Sequence, residues 1–144
     1  MRVNGKWLTC DDGEIRPVVQ GKVRSADQRW IEVTFLLDAG ADRTVFSSQF
    51  LDLLRSLEVI EFEPTSLAGV GGRVSTISVE TSIGFSRDDG RPISVQGTFR
   101  VFTESESADL SVLGRDVTNN FSVIYDYPNQ NVALLAPPHY YEIK

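Results

Sequence analysis

The sequence predicts a single all-β domain, and three observations carry that expectation. Apolar residues alternate over most of the chain at the period of strands, short Gly, Asp, Asn and Pro clusters separate these runs, and one segment alone shows helical spacing. With 144 residues, 41% of them hydrophobic, the chain is long enough to bury one core and too short for a second full domain. Neither low complexity nor an internal repeat interrupts it.

Residues 1–14 are mixed and polar and end at Asp11-Asp12-Gly13, a turn signal; this leader reads as an added strand or a loose arm. The first clear strand runs from about Arg16 to Arg24, and Ser25-Ala26-Asp27-Gln28 forms the turn into a second, Trp30 to Leu37. Ile31, Val33, Phe35 and Leu37 share one face of that strand, while Leu36 breaks the alternation, so the strand's end is expected to be buried on both faces. After Val45-Phe46, the spacing of Phe50, Leu53, Leu54 and Leu57 predicts one short amphipathic helix, capped by Ser47 or Ser48.

Gly69-Val70-Gly71-Gly72 lies within the β-compatible segment 65–80 and predicts a hairpin with a flexible tip. A further hairpin turns at Asp88-Asp89-Gly90 and returns through Ile93 to Phe102, with Val95, Gly97, Phe99 and Val101 in alternation. The acidic run Glu104 to Asp109 is expected to be a surface loop. A short strand around Val112, a helical turn near Asp116 to Asn120, and a last hairpin complete the chain. That hairpin joins Phe121 to Tyr125 with Asn131 to Leu135 across Tyr127-Pro128-Asn129-Gln130.

Composition excludes several functions. Fourteen basic against twenty acidic side chains give a net charge of −6, with no Lys/Arg cluster, which argues against nucleic-acid binding. The longest apolar runs fall far short of a membrane span, and the polar start is not expected to act as a signal peptide. Cys10 is the single cysteine, so no intrachain disulfide forms and a reducing, cytoplasmic setting is expected. With His139 the single histidine, a Cys/His zinc cluster is excluded, and the paired Asp turns lack metal-ligand spacing, so neither metal nor cofactor is expected. If the chain is a hydrolase, carboxylates are its tools.

The informative stretch is Phe35-Leu36-Leu37-Asp38-Ala39-Gly40-Ala41-Asp42, an aspartate placed directly after a buried strand and followed by a Gly turn. A carboxylate in that position is costly unless hydrogen-bonded or sharing a proton. Asp-x-Gly alone is weak, since it recurs at Asp11-Asp12-Gly13 and Asp88-Asp89-Gly90, where no apolar strand precedes it. The ordered set is more specific: strand, Asp-x-Gly-Ala-Asp, helix, Gly-rich hairpin, Leu113-Gly114-Arg115-Asp116, hairpin. In this order the chain resembles the retropepsin-like aspartic proteases, whose hallmark is two hydrophobics and Asp-Thr/Ser-Gly-Ala, with a second motif of two hydrophobics and Gly.

That resemblance implies a retropepsin-like β-barrel with one short helix, a flap hairpin and a C-terminal hairpin, the domain spanning 16–135 between an arm (1–15) and a tail (136–144). It implies an aspartic endopeptidase with Asp38 catalytic and Ala39, Gly40 and Ala41 as the active-site turn. Asp42 and the flap residues Gly69, Val70, Gly71 and Gly72 would bind a peptide or protein substrate, extended and largely apolar, and Arg115 would brace Asp42. One motif per chain implies a C2 homodimer in which two Asp38 carboxylates share a proton and work in acid to mildly acid solution. Trp7, Trp30, Tyr125 and Tyr127 read as core or interface aromatics. Ala39 departs from the family's Thr or Ser, whose hydroxyl bonds across the dimer axis. A weaker dimer, or a noncatalytic domain for peptide binding or assembly, is the alternative this raises. The long C-terminal hairpin, like that of cellular and bacterial members, is expected to supply most of the interface.

Overall fold

The computed structural model describes residues 1–60, 67–69, 72–104, 110–138, 140 and 142–144, with backbone alone at 67–69 and 72–74. The leader supplies two strands, β1 (Arg2–Asn4) and β2 (Lys6–Thr9), ahead of β3 (Ile15–Arg24), β4 (Trp30–Leu37) and β5 (Val45–Phe46). Helix α1 (Leu51–Leu54) and the small hairpin β6 (Leu67–Gly69) and β7 (Gly72–Val74) follow. Then come β8 (Thr76–Ser86), β9 (Pro92–Phe102), β10 (Ser111–Leu113), α2 (Arg115–Thr118), β11 (Ser122–Asp126) and β12 (Asn131–Leu135).

The main sheet runs β2-β3-β4-β10-β5-β9-β8, and a second pairing of β3 with β8 closes six of its strands into a barrel. The β4–β10 and β5–β9 pairs are parallel, and each is joined by the long connection that a parallel pair requires, whereas β10 and β5 pair antiparallel. A separate sheet, β1-β12-β11, packs the chain's beginning onto its last hairpin and leaves β11 at an edge.

Alternation in β4 explains the core. Val33, Phe35 and Leu37 point into the barrel and are buried, with Ile31 partly buried against the same cluster. The Phe35 ring meets Phe46 and Phe85 at centroid distances of 5.7 and 6.2 Å, and Phe46 carries the contact on to Phe50 and Phe99. Edge-on and tilted aromatic pairs of this kind add to the burial term. In β9, Phe99 and Val101 are buried while Val95 is only partly so.

Three sequence expectations are corrected. Leu36 is half-buried, because the face opposite the barrel core opens onto a cleft instead of a second layer. The helix is shorter than its periodicity: Leu51–Leu54 is α-helical between the 3-10 turns Ser48–Phe50 and Arg55–Leu57. Phe50, Leu51 and Leu54 are its buried face. Ser47 occupies the N-cap position in extended conformation but makes no side-chain cap, since it is buried and its hydroxyl has no partner among the described residues. The residues 105–109 of the acidic run and His139 lie outside the described residues. Among those described, no helix is long and apolar enough to cross a membrane.

Candidate active site

Asp38 leaves the end of β4 where the strand's pairing with β10 runs out. Leu36 and Leu37 pair with Val112 and Leu113, and the Asp38 N–H then donates to the Leu113 carbonyl at 3.3 Å. The chain turns at once: the Ala41 N–H donates to the Asp38 carbonyl at 3.1 Å, and the Gly40 N–H donates to Asp38 Oδ1 at 2.9 Å. The half-buried carboxylate is thereby aimed by its own turn. A β-carbon at residue 40 would stand 3.2 Å from that same Oδ1, so glycine keeps the carboxylate and backbone in close approach.

The segment after β10 underpins this turn. Arg115 and Asp116 donate backbone N–H groups to the Ala41 and Asp42 carbonyls at 2.9 and 3.3 Å. The Arg115 guanidinium reaches back, donating from Nη1 to the Ala39 carbonyl at 2.9 Å and from Nη2 to Asp42 Oδ1. Asp42 and Arg115 are both solvent-exposed, so the contact's worth is in positioning the turn more than in stability. Sequence reading assigned no role to Thr44 or Asp116. Thr44, fully buried, donates from its N–H to both Asp116 oxygens at 3.0 Å and from its hydroxyl to Oδ1 at 2.7 Å, while accepting the Gly114 N–H at 3.0 Å. The signal for this knot was a threonine set just before the apolar pair Val45-Phe46, where the alternative is an orphaned hydroxyl.

Of the expected flap, Gly69 and Gly72 face each other at the end of the β6–β7 ladder, while Val70 and Gly71 lie outside the described residues. The aromatics fall into two groups. Trp7 packs edge-on to Tyr127 at 5.0 Å and near Tyr125 at 6.5 Å, joining β2 to the C-terminal hairpin, and its indole N–H donates to the Asn131 carbonyl at 3.1 Å. Burial first and the negative charge of Asp38 second push the Tyr125 phenol above its ordinary value, which sets this hairpin within electrostatic reach of the turn. Trp30 lies elsewhere, under the Arg24 guanidinium at 5.3 Å.

A cleft of about 580 Å³ opens beside the strand that delivers Asp38. Leu36 and Val112, register partners of β4 and β10, form its apolar floor with Leu8 and Leu110. The β2–β3 turn forms its rim, where Arg16 forks onto Asp12 with Nη1 to Oδ1 at 2.9 Å and Nη2 to Oδ2 at 2.7 Å. The Arg16 bonds, seconded by the Glu14 N–H, lower the Asp12 carboxyl from 3.8 to about 2. Since the folded-state value is depressed, the clamp contributes stability above about pH 4 and loses it only as pH falls from there through about 2. It therefore holds in mild acid. Arg16→Gln is expected to return the Asp12 titration toward 3.8, read by NMR of the side-chain carboxyl; an unchanged midpoint would show that the turn's backbone, not Arg16, sets it.

No protein-family model matches the sequence, and no curated protein matches it. Among solved structures, a retropepsin-like aspartic protease from Rickettsia conorii superposes with a TM-score of 0.53 at 13% identity, over 93% of this chain and 90% of that one. The EIAV protease in complex with the inhibitor HBY-793 aligns at 25% identity and a TM-score of 0.49, over 78% of this chain and 92% of that one. The barrel, the turn at its strand end and the C-terminal hairpin together are the fold of the retropepsin-like aspartic proteases.

Proposed function

We propose that the chain is an aspartic endopeptidase that acts as a C2 homodimer, with residues 16–135 as its proteolytic unit. The observation that carries this reading is Asp38 itself: a half-buried carboxylate at a strand end, aimed by the Gly40 N–H and underpinned by Arg115 and Asp116. Paired across a twofold axis, two such carboxylates hold one proton between them. The ionised one takes a proton from water as the water oxygen bonds to the scissile carbonyl carbon, and the neutral one gives its proton to the carbonyl oxygen. As the C–N bond breaks, one carboxyl gives its proton to the leaving amine while the other, ionised, takes a proton from a hydroxyl of the tetrahedral intermediate as its C=O re-forms, so the dyad again holds one proton. The β6–β7 hairpin serves as the flap, with Gly69 to Gly72 and Asp42 holding the main chain of an extended, apolar peptide.

Strand β11, at the edge of its sheet among the described residues, offers the partner a surface where Ile124 and Tyr125 are 36% and 43% exposed. This supports the C-terminal hairpin as the main dimer contact. A dimeric site gives a test without mutation. Specific activity on extended peptides in mild acid should rise with protein concentration and level off where sedimentation shows the dimer to be complete; activity proportional to concentration well below that point would overturn the shared site.

Ala39 favours a second reading, a noncatalytic dimeric domain that binds peptides, because alanine has no hydroxyl to bond across the axis. Two symmetric hydroxyl bonds at about 0.5–1.5 kcal/mol each are worth about 1–3 kcal/mol of dimer stability. Ala39→Thr is therefore expected to tighten the dimer dissociation constant by about 5- to 150-fold, measured by sedimentation equilibrium. An unchanged constant would remove the hydroxyl argument, and peptide binding without turnover in both proteins would favour the second reading.

A further inference from the structure

We propose that the β2–β3 turn is a specificity element of this site, with Asp11 selecting peptides that carry a basic side chain next to the apolar one seated on Leu36 and Val112. The inference rests on the cleft being the substrate's, as the function above has it, and goes on to name which substrates it takes. The floor sets the first requirement. Leu8, Leu36, Leu110 and Val112 offer it no polar side chain, so a buried substrate group must be apolar.

The rim sets the second. Were Arg16 free, the cleft would attract a substrate carboxylate. It is not free: each terminal guanidinium nitrogen donates to an oxygen of Asp12, and the pair's opposite charges cancel at the rim. Asp11, adjacent and exposed, has neither hydrogen bond nor ion pair among the described residues. The rim therefore carries one uncompensated negative charge above an apolar floor. Low-dielectric walls focus that field, and the chain's net charge of −6 adds to it in sign. A lysine or arginine fits this surface in both its parts, its methylene stem lying along the apolar lip and its head group meeting Asp11.

The turn that presents Asp11 is fixed. The Cys10 N–H donates to the Glu14 carbonyl at 2.8 Å, the Gly13 N–H to the Cys10 carbonyl at 2.9 Å, and Gly13 takes φ +84°, a left-handed conformation that favours glycine. The Asp12–Arg16 fork ties the same turn to β3. Asp11 is thus held at the rim by bonds its own side chain takes no part in, so replacing it leaves the turn its supports.

The experiment uses three labelled peptides of one extended apolar sequence, differing in a single flanking residue: Lys, Gln or Glu. Binding is measured by fluorescence anisotropy on the full Asp38→Asn chain near pH 6, and cleavage on the wild type. Lys is expected to bind about two- to fivefold tighter than Gln, and Glu weaker than Gln, with the order fading in 1 M salt as charges are screened. Asp11→Asn should erase the Lys preference, and Asp11→Lys should reverse it. An order unmoved by either substitution overturns the proposal, as does an Asp11 effect confined to the dimer dissociation constant, which would make the cleft an interface between copies. If the wild type cleaves none of the peptides while the Asp11-dependent order of binding persists, the protease reading falls and the specificity stands.

Discussion

Asp38→Asn is expected to lower peptide hydrolysis by at least about 10²–10⁴-fold, the usual contribution of a positioned general acid or base, with little change in thermal stability. Asparagine keeps the side-chain oxygen that accepts the Gly40 N–H at 2.9 Å, and the half-buried site tolerates a neutral group of the same shape. What is lost is the ability to hold and pass a proton. Mixing gives a sharper result than the single variant. If wild-type and Asp38→Asn chains, expressed together in equal amounts, associate at random, roughly a quarter of the dimers keep both aspartates. A site that needs both carboxylates then retains about a quarter of the activity per dimer, whereas a site complete within one chain retains half. Retention of half would refute the shared dyad even if Asp38 proved catalytic.

The parts of the molecule legible in the sequence are those where one local rule acts alone. In β4 alternation decides everything, and the strand Trp30–Leu37 has the bounds that its apolar residues predict. The C-terminal hairpin is displaced by only one residue, to Ser122–Asp126, because the register is fixed by the Tyr127 to Gln130 turn as much as by the strand. Where two demands compete, periodicity misleads. The spacing from Phe50 to Leu57 is helical, yet α1 is one turn long, since the flanking residues close into tighter 3-10 turns while Leu54 stays fully buried in the core cluster. Leu36 misled for a different reason: an apolar residue beside an apolar residue signals burial on two faces, but the floor of an open cleft looks the same in sequence as a second core. The position of Asp38 was legible from its neighbours in the chain. Its support was not, because Thr44 and Asp116 lie 72 residues apart and meet only once β10 has been laid beside both β4 and β5.

That support makes Gly114→Ala the most damaging small substitution expected in this fold. A β-carbon on residue 114 would stand 2.4 Å from the carbonyl carbon of Arg43, 2.6 Å from its oxygen and 2.8 Å from its nitrogen. All three are backbone atoms, so no rotamer relieves the clash, and one of two chain segments must move. Overpacking of this kind costs about 1–3 kcal/mol. The shift also pulls the Gly114 N–H away from the Thr44 hydroxyl, and leaving a buried polar group short of a partner costs about 1–3 kcal/mol more. The two effects share one displacement and need not add fully, but a loss of about 2–6 kcal/mol lowers the melting temperature by roughly 8–24 °C at this chain length. Gly40→Ala is the matched control. Its β-carbon would meet the Asp38 carboxylate at 3.2 Å, a side-chain group that can swing aside. The melting temperature should therefore fall far less, while the carboxylate loses its aim and hydrolysis falls with it. Calorimetry on the two variants separates the roles, and a Gly114→Ala protein that melts with the wild type would show that the segment after β10 does not carry the turn.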